Sequence, residues 1–173
     1  DLARILGVPL DLEAALAARE KQSGRRPPLL VKIAPDLSPE ECADIAAVAL
    51  DLKIDGLIVS NTTITRPEDL PPALVGEAGG LSGQPLFRRA TDILHTMYRM
   101  TGGALLLVGV GGVSSGALAY VKIRAGASLV QLYSGLVYRG PGLVECINRE
   151  LAALLARDGF ARVADAVGAD HRP

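Results

Sequence analysis

Residues 105–116 read LLLVGVGGVSSG, and residues 129–135 read LVQLYSG. Each is an apolar run that ends in glycines and small hydroxyl residues. An apolar strand followed by a turn freed of side chains lets backbone N–H groups approach an anion closely. Two such turns in succession make a phosphate cradle. In parallel (β/α)8 barrels that cradle lies after the last two strands, beside a helix N-terminus. The pair points to a protein that binds a phosphate-bearing cofactor.

Outward from this pair the chain alternates. Residues 29–34, LLVKIA, form a short apolar strand closed by Pro35. Ser38-Pro39-Glu40-Glu41 is a helix start, with Ser as the cap, Pro in the first turn and Glu three residues on. That helix runs to about residue 52. Residues 56–60, GLIVS, are a second strand, and 61–84 show no periodicity and read as a long loop. Helices follow at 86–100, 118–124 and 143–157, with strands at 105–110 and 129–133 between them. A further helix is expected over 11–22. Continuous apolar strands alternating with helices imply a parallel sheet covered on both faces. The expected fold is α/β: four parallel strands, read as the C-terminal half of a (β/α)8 barrel.

Composition agrees with an aliphatic α/β interior. Hydrophobic residues make up 49% of the 173, while aromatics are 3% and Trp is absent. Mean hydropathy is +0.30. With 18 basic and 19 acidic residues and no basic block, nucleic acid is not an expected partner. Cys42 and Cys146 match no metal or redox spacing and read as inert helix residues, which fits a reducing compartment. Residues 100–121 carry no charge. Their glycines and serines argue for a strand, a turn and a helix start rather than a membrane span. The chain starts within a helical pattern and without Met, so it is expected to be a piece of a longer protein.

Several residues near strand ends could carry chemistry. Lys32 sits within the first strand among aliphatic neighbours. Two readings fit it: a buried cation beside a cofactor that becomes anionic, or an edge-strand Lys reaching for water. Ser60, Asn61, Thr62 and Thr63 end the second strand. Their hydroxyls and amide suit a planar ligand with an amide-like edge, or an ordinary Asx turn. Residues 79–83, GGLSG, could bring N–H groups to a ligand or act as a hinge. Gly111, Gly112, Tyr133, Ser134 and Gly135 form the phosphate grip. The segment is no dinucleotide fingerprint, because Ser114 stands at its third glycine, and no P-loop, because Ala117 replaces the Lys. His95 reads as a surface or packing residue, and His171 lies near the chain end. Neither has a partner motif, so no catalytic His is assigned.

Together these motifs resemble the quinone-linked (class 2) dihydroorotate dehydrogenases, flavin enzymes of pyrimidine synthesis. The resemblance rests on Val31-Lys32-Ile33-Ala34-Pro35-Asp36-Leu37, Gly56-Leu57-Ile58-Val59-Ser60-Asn61-Thr62-Thr63 and Gly79-Gly80-Leu81-Ser82-Gly83. It continues through Gly109-Val110-Gly111-Gly112-Val113, residues 123–134 (IRAGASLVQLYS) and Gly168-Ala169-Asp170-His171-Arg172. It implies FMN as cofactor, dihydroorotate or orotate as substrate or product, and a quinone as acceptor. Lys32 and Ser60 would lie at the flavin ring, and Asn61 and Thr62 would bind the substrate. Gly83, Gly112, Tyr133 and Ser134 would hold FMN, the last three around its phosphate, with Ser82 and Gly111 as neighbours.

The resemblance has gaps. Gln84 stands where Lys or Arg is common. The family's base is a Ser in an Asn-x-Ser-Ser-Pro-Asn type loop on an earlier strand, and no such motif occurs here. Residues 1–173 are therefore expected to be one partial FMN-binding domain, the last four strands of the barrel. No catalytic residue and no metal ligand is assigned. The full-length parent would be membrane-associated, at a bacterial or mitochondrial inner membrane, through an N-terminal region absent here. Two other readings stand beside this one: the half-barrel of a sugar-phosphate isomerase, which expects catalytic acids at strand ends where the nearest here, Asp36, follows Pro35, or an inactive fragment or scaffold.

Overall fold

A computed structural model describes residues 17–18, 20–22, 24–68 and 70–172. The helix expected over 11–22 lies largely outside these residues, and its described part is helical. The elements then follow as β1 (Leu30–Ile33), α1 (Pro39–Asp51), β2 (Gly56–Val59), α2 (Pro72–Val75), α3 (Phe87–Met100) and β3 (Leu106–Val110). After these come α4 (Gly116–Arg124), β4 (Leu129–Gln131), α5 (Ser134–Arg139), α6 (Gly142–Arg157) and α7 (Val163–Ala166). The strands form one sheet in the order β1-β2-β3-β4, every pair parallel. No strand is skipped, which is how consecutive β/α units build the wall of a barrel.

Local chemistry sets the boundaries. Ser38 and Glu41 close a reciprocal capping box on α1: Ser38 Oγ accepts from Glu41 N at 3.2 Å, and Glu41 Oε2 accepts from Ser38 N at 2.8 Å. Ser115 caps α4 by accepting from Leu118 N, so α4 begins at Gly116, two residues earlier than expected. A second acceptor for the same end comes from α6, where Glu150 Oε2 takes the Gly116 N–H at 2.5 Å. The charge-free stretch 100–121 is the end of α3, a turn, β3 and most of α4. Among the described residues no helix is long and apolar enough to cross a membrane.

The core lies on the helix side of the sheet. Val31, Ile33, Leu57, Val59 and Leu107 meet Ile45, Ala49, Leu94 and Met97 from α1 and α3. Two smaller clusters join α4 to α6 and α7. The opposite face carries Lys32, Leu106, Leu129 and Gln131, all exposed. Period-two alternation therefore sends the apolar set outward to the helices and leaves the inner face open.

The long loop is more structured than its sequence predicts. It contains α2, an antiparallel bridge between Thr63 and Leu81, and a tight 3-10 turn at Gln84–Leu86. Arg66 draws it closed by donating to the Glu77 carbonyl at 2.8 Å and the Gly79 carbonyl at 2.7 Å. At the chain's far end the tail is clamped to the end of α4. Arg124 pairs with Asp170 at 2.6 Å, Gly168 N donates to the Ile123 carbonyl, and His171 Nε2 meets the Ala125 carbonyl at 3.0 Å.

Candidate functional site

Parallel pairing puts the C-terminal ends of all four strands on one edge of the sheet, and a cleft of about 550 Å³ opens there. Its lining includes all ten residues that the sequence nominates: Lys32, Ser60, Asn61, Thr62, Ser82, Gly83, Gly111, Gly112, Tyr133 and Ser134. The volume falls within the range of cofactor and small-ligand pockets.

At the second strand end, Ser60 is buried and donates its Oγ to the Asn61 carbonyl at 2.9 Å. Asn61 Oδ1 accepts from Thr62 N at 2.9 Å. With that oxygen engaged, the amide NH2 of Asn61 is left to present donors to the cleft. Asp36 fixes this segment from the side. Its carboxylate accepts from Thr63 Oγ1 at 2.5 Å, Ile64 N at 2.9 Å and Thr65 Oγ1 at 3.1 Å, and pairs with Arg89 at 3.2 Å. Burial pushes the Asp36 pKa upward, but these donors outweigh it and hold the carboxyl below its ordinary value. The acid nearest a strand end is thus engaged in shaping the loop.

At the end of β3, Gly111 and Gly112 adopt φ of +101° and +73°. A Cβ at 112 would come within 2.9 Å of Phe87 N, so the turn admits no side chain there. The loop over 79–83 reaches the start of α5 through a 3.0 Å contact between Ser82 Oγ and Ser134 Oγ. A Cβ at Gly83 (φ +77°) would touch Ser134. The two glycine turns and the small-residue loop therefore meet around one space lined with backbone and hydroxyls, a cradle suited to an oxyanion. The α5 helix that Ser134 opens was not foreseen, and β4 ends at Gln131 rather than 133.

Lys32 departs from the buried cation of the first reading. Its residue is exposed on the open inner face, although it does line the cleft. The fully buried lysine is Lys122 on α4, which sequence reasoning passed over. Its Nζ donates to the Val110 carbonyl at 3.2 Å and stands 5.1 Å from the centroid of the Phe87 ring. Gln131 and Arg139 also line the cleft unforeseen. Gln131 could have been found by period two, being the last inward position of β4. Arg139 gives no local signal, since its guanidinium reaches the Ser114 carbonyl at 2.7 Å across the chain. His95 and His171 stack at 3.9 Å between centroids, and neither lines the cleft. Cys42 is buried in α1, whereas Cys146 is only half-buried and donates to Glu150 Oε1.

The chain has close relatives of known name. A sequence model of the dihydroorotate dehydrogenase family matches residues 4–155. The dihydroorotate dehydrogenase (quinone) of Rhodospirillum rubrum is 61% identical over 149 residues, covering 86% of this chain and 41% of that protein. The mitochondrial dihydroorotate dehydrogenase (quinone) of Mus musculus is 51% identical over 172 residues, 99% of this chain and 42% of that protein. A crystal structure of the dihydroorotate dehydrogenase of Eimeria tenella in complex with ferulenol superposes with a TM-score of 0.84 at 50% identity. That match covers 88% of this chain and 40% of the Eimeria chain. The chain spans less than half the length of each of these relatives.

Proposed function

The chain belongs to the dihydroorotate dehydrogenase family, and from that premise we propose that it forms the flavin-holding part of an enzyme that oxidises dihydroorotate to orotate with FMN and a quinone. The observation that carries the reading is the convergence of ten chemically suited residues, from four strand ends and one loop, on a single cleft. We read residues 1–173 as the last four β/α units of the barrel. The base, the quinone site and the membrane contact are assigned to the preceding part of the full-length protein, which the family places at an inner membrane.

The cleft fits FMN on its own chemistry. Consecutive positive-φ glycines pack directly against Leu86, Phe87 and Ala90, where a side chain would clash, and they keep the turn bare backbone along the cleft, as a phosphate-binding turn requires. Gly111, Gly112, Tyr133 and Ser134 would hold that phosphate, with Ser82 and Gly83 closing the loop side. When bound, FMN supplies the two-electron acceptor to which the substrate's hydride passes. Lys32 sets a positive charge on the inner face, at the ring end of the cleft beside Ser60. Asn61 and Thr62 orient the substrate by donating to the amide-like edge of its ring. The loop that Arg66 and Asp36 hold closes one side of the cleft.

Asn61→Ala in the full-length protein tests this assignment. The variant keeps its flavin absorbance, while its orotate dissociation constant rises by the equivalent of about 1–3 kcal/mol, the cost of leaving a ligand hydrogen bond unmade. A colourless wild-type protein overturns the flavin reading, and equal orotate affinity in both forms overturns the role of Asn61.

A further inference from the structure

We infer that Lys122 is a positioning residue for the phosphate end of the cleft: a buried cation behind the turn at Gly111 and Gly112 that holds the turn and favours a phosphate ester bound in front of it. The inference rests on the flavin reading above and assigns a task to a residue outside the cleft lining.

The geometry is specific. Lys122 is 0% exposed, and its ammonium touches both walls of the turn. One wall is Val110, whose carbonyl accepts from Nζ at 3.2 Å and whose next residue is Gly111. The other is Phe87, whose ring lies 5.1 Å from Nζ and whose backbone abuts Gly112. The lysine stem packs on β3 as well: a Cβ at Gly109 would stand 3.2 Å from Lys122 Cβ. A single side chain thus ties α4 to the strand end and to the start of α3, the two elements that shape the turn.

Its charge is undercompensated. An ammonium has three donors, and among the described residues Nζ meets one acceptor and one ring face. The elements around it offer little more. From α3 the Asp92 carboxylate acts on it electrostatically, outside ion-pair distance. From β3 and the residues before β4 come Gly109, Val110 and Ala127, none of them titratable. α6 meets α4 on another side, through Ala119, Tyr120 and Ile123. Burial therefore holds the ammonium down to about 7, with Asp92 pulling weakly the other way. An anion seated at the turn supplies the missing countercharge. By linkage it draws a proton onto Lys122, and the protonated lysine tightens the anion in return. A lysine that served only as an apolar spacer would show no such coupling.

The test compares two ligands that share a ring and differ in the phosphate. The full-length protein is stripped of flavin and titrated with FMN and with riboflavin, following flavin fluorescence, as wild type, Lys122→Met and Lys122→Gln. At pH 7, Lys122→Met loses about tenfold in FMN affinity, as expected for removal of one nearby charge. Its riboflavin affinity stays within about twofold. In the wild type the preference for FMN over riboflavin declines from pH 7 to pH 9. The ester is dianionic throughout that range, its second pKa being about 6. In Lys122→Met the preference is flat, and Lys122→Gln, which keeps a donor without the charge, is flat too. An equal loss for both ligands, or an unchanged preference, overturns the inference. Should neither variant fold, the wild-type profile decides, and a flat preference overturns it. A wild type that binds neither flavin defeats the flavin reading itself, and the role of Lys122 falls with it.

Discussion

Lys32 shows how much one residue's meaning depends on which side of a strand it takes. Between Val31 and Ile33 it looks buried, yet its neighbours turn to the helices and Lys32 to the open inner face. Under the proposed function its positive charge would offset negative charge that develops during hydride transfer. Lys32→Ala is therefore expected to slow flavin reduction by dihydroorotate about a hundredfold or more, as loss of a transition-state donor does, with little effect on orotate affinity. Stopped-flow bleaching of the flavin measures this, and an unchanged rate removes the role. At this scale the candidate site was legible, because glycines, hydroxyls and an amide at strand ends advertise themselves in the sequence. Lys122 was not. Its neighbours Tyr120 and Ile123 are buried too, so the α4 sequence shows no polar face to exempt it. Only the close approach of α4 to Val110 and Phe87 reveals where its ammonium goes.

At the scale of elements, the strands were readable as continuous aliphatic runs and α1 by its capping box. The short pieces were not, since α2 and α5 are too brief to display a period. The loop over 61–84 escaped for another reason. Its order comes from contacts that cross many residues: Arg66 to two distant carbonyls, and Asp36 to Thr63, Ile64, Thr65 and Arg89. Asp36 supports a prediction with a defined sign. Its carboxyl is held below the ordinary value near 3.8, so its stabilisation is present above that pH and is lost as the pH falls through the folded value. Asp36→Asn is expected to cost the intact protein about 1–3 kcal/mol at pH 7. The gap between wild type and variant should narrow toward pH 3. Urea unfolding at both pH values tests it. A gap that persists undiminished in acid would place the stabilisation elsewhere.

For the whole molecule, the decisive property is an open sheet. Among the described residues β1 and β4 stand at its two edges, and its inner face shows Leu106 at 39% and Leu129 at 59% exposure. In a closed barrel such side chains fill interior layers contributed by alternate strands, which four strands cannot complete. Unpaired strand edges recruit other chains, and contiguous apolar surface does the same. The helix side of the same sheet is well packed, and the Arg124–Asp170 pair and the His171 contact bind the tail to it. Secondary structure should thus survive in the 173-residue chain expressed alone, while the inner face drives association. Size-exclusion chromatography with light scattering is expected to show dimers or larger species with native-like helical circular dichroism. FMN should bind weakly, because the lining seen here surrounds only part of such a ligand. Under the proposed function, in which the base comes from the preceding part of the protein, dye reduction by dihydroorotate should be absent. A monodisperse, FMN-loaded monomer that turns over dihydroorotate would mean that the four strands close their own inner face and that a group within these residues removes the proton.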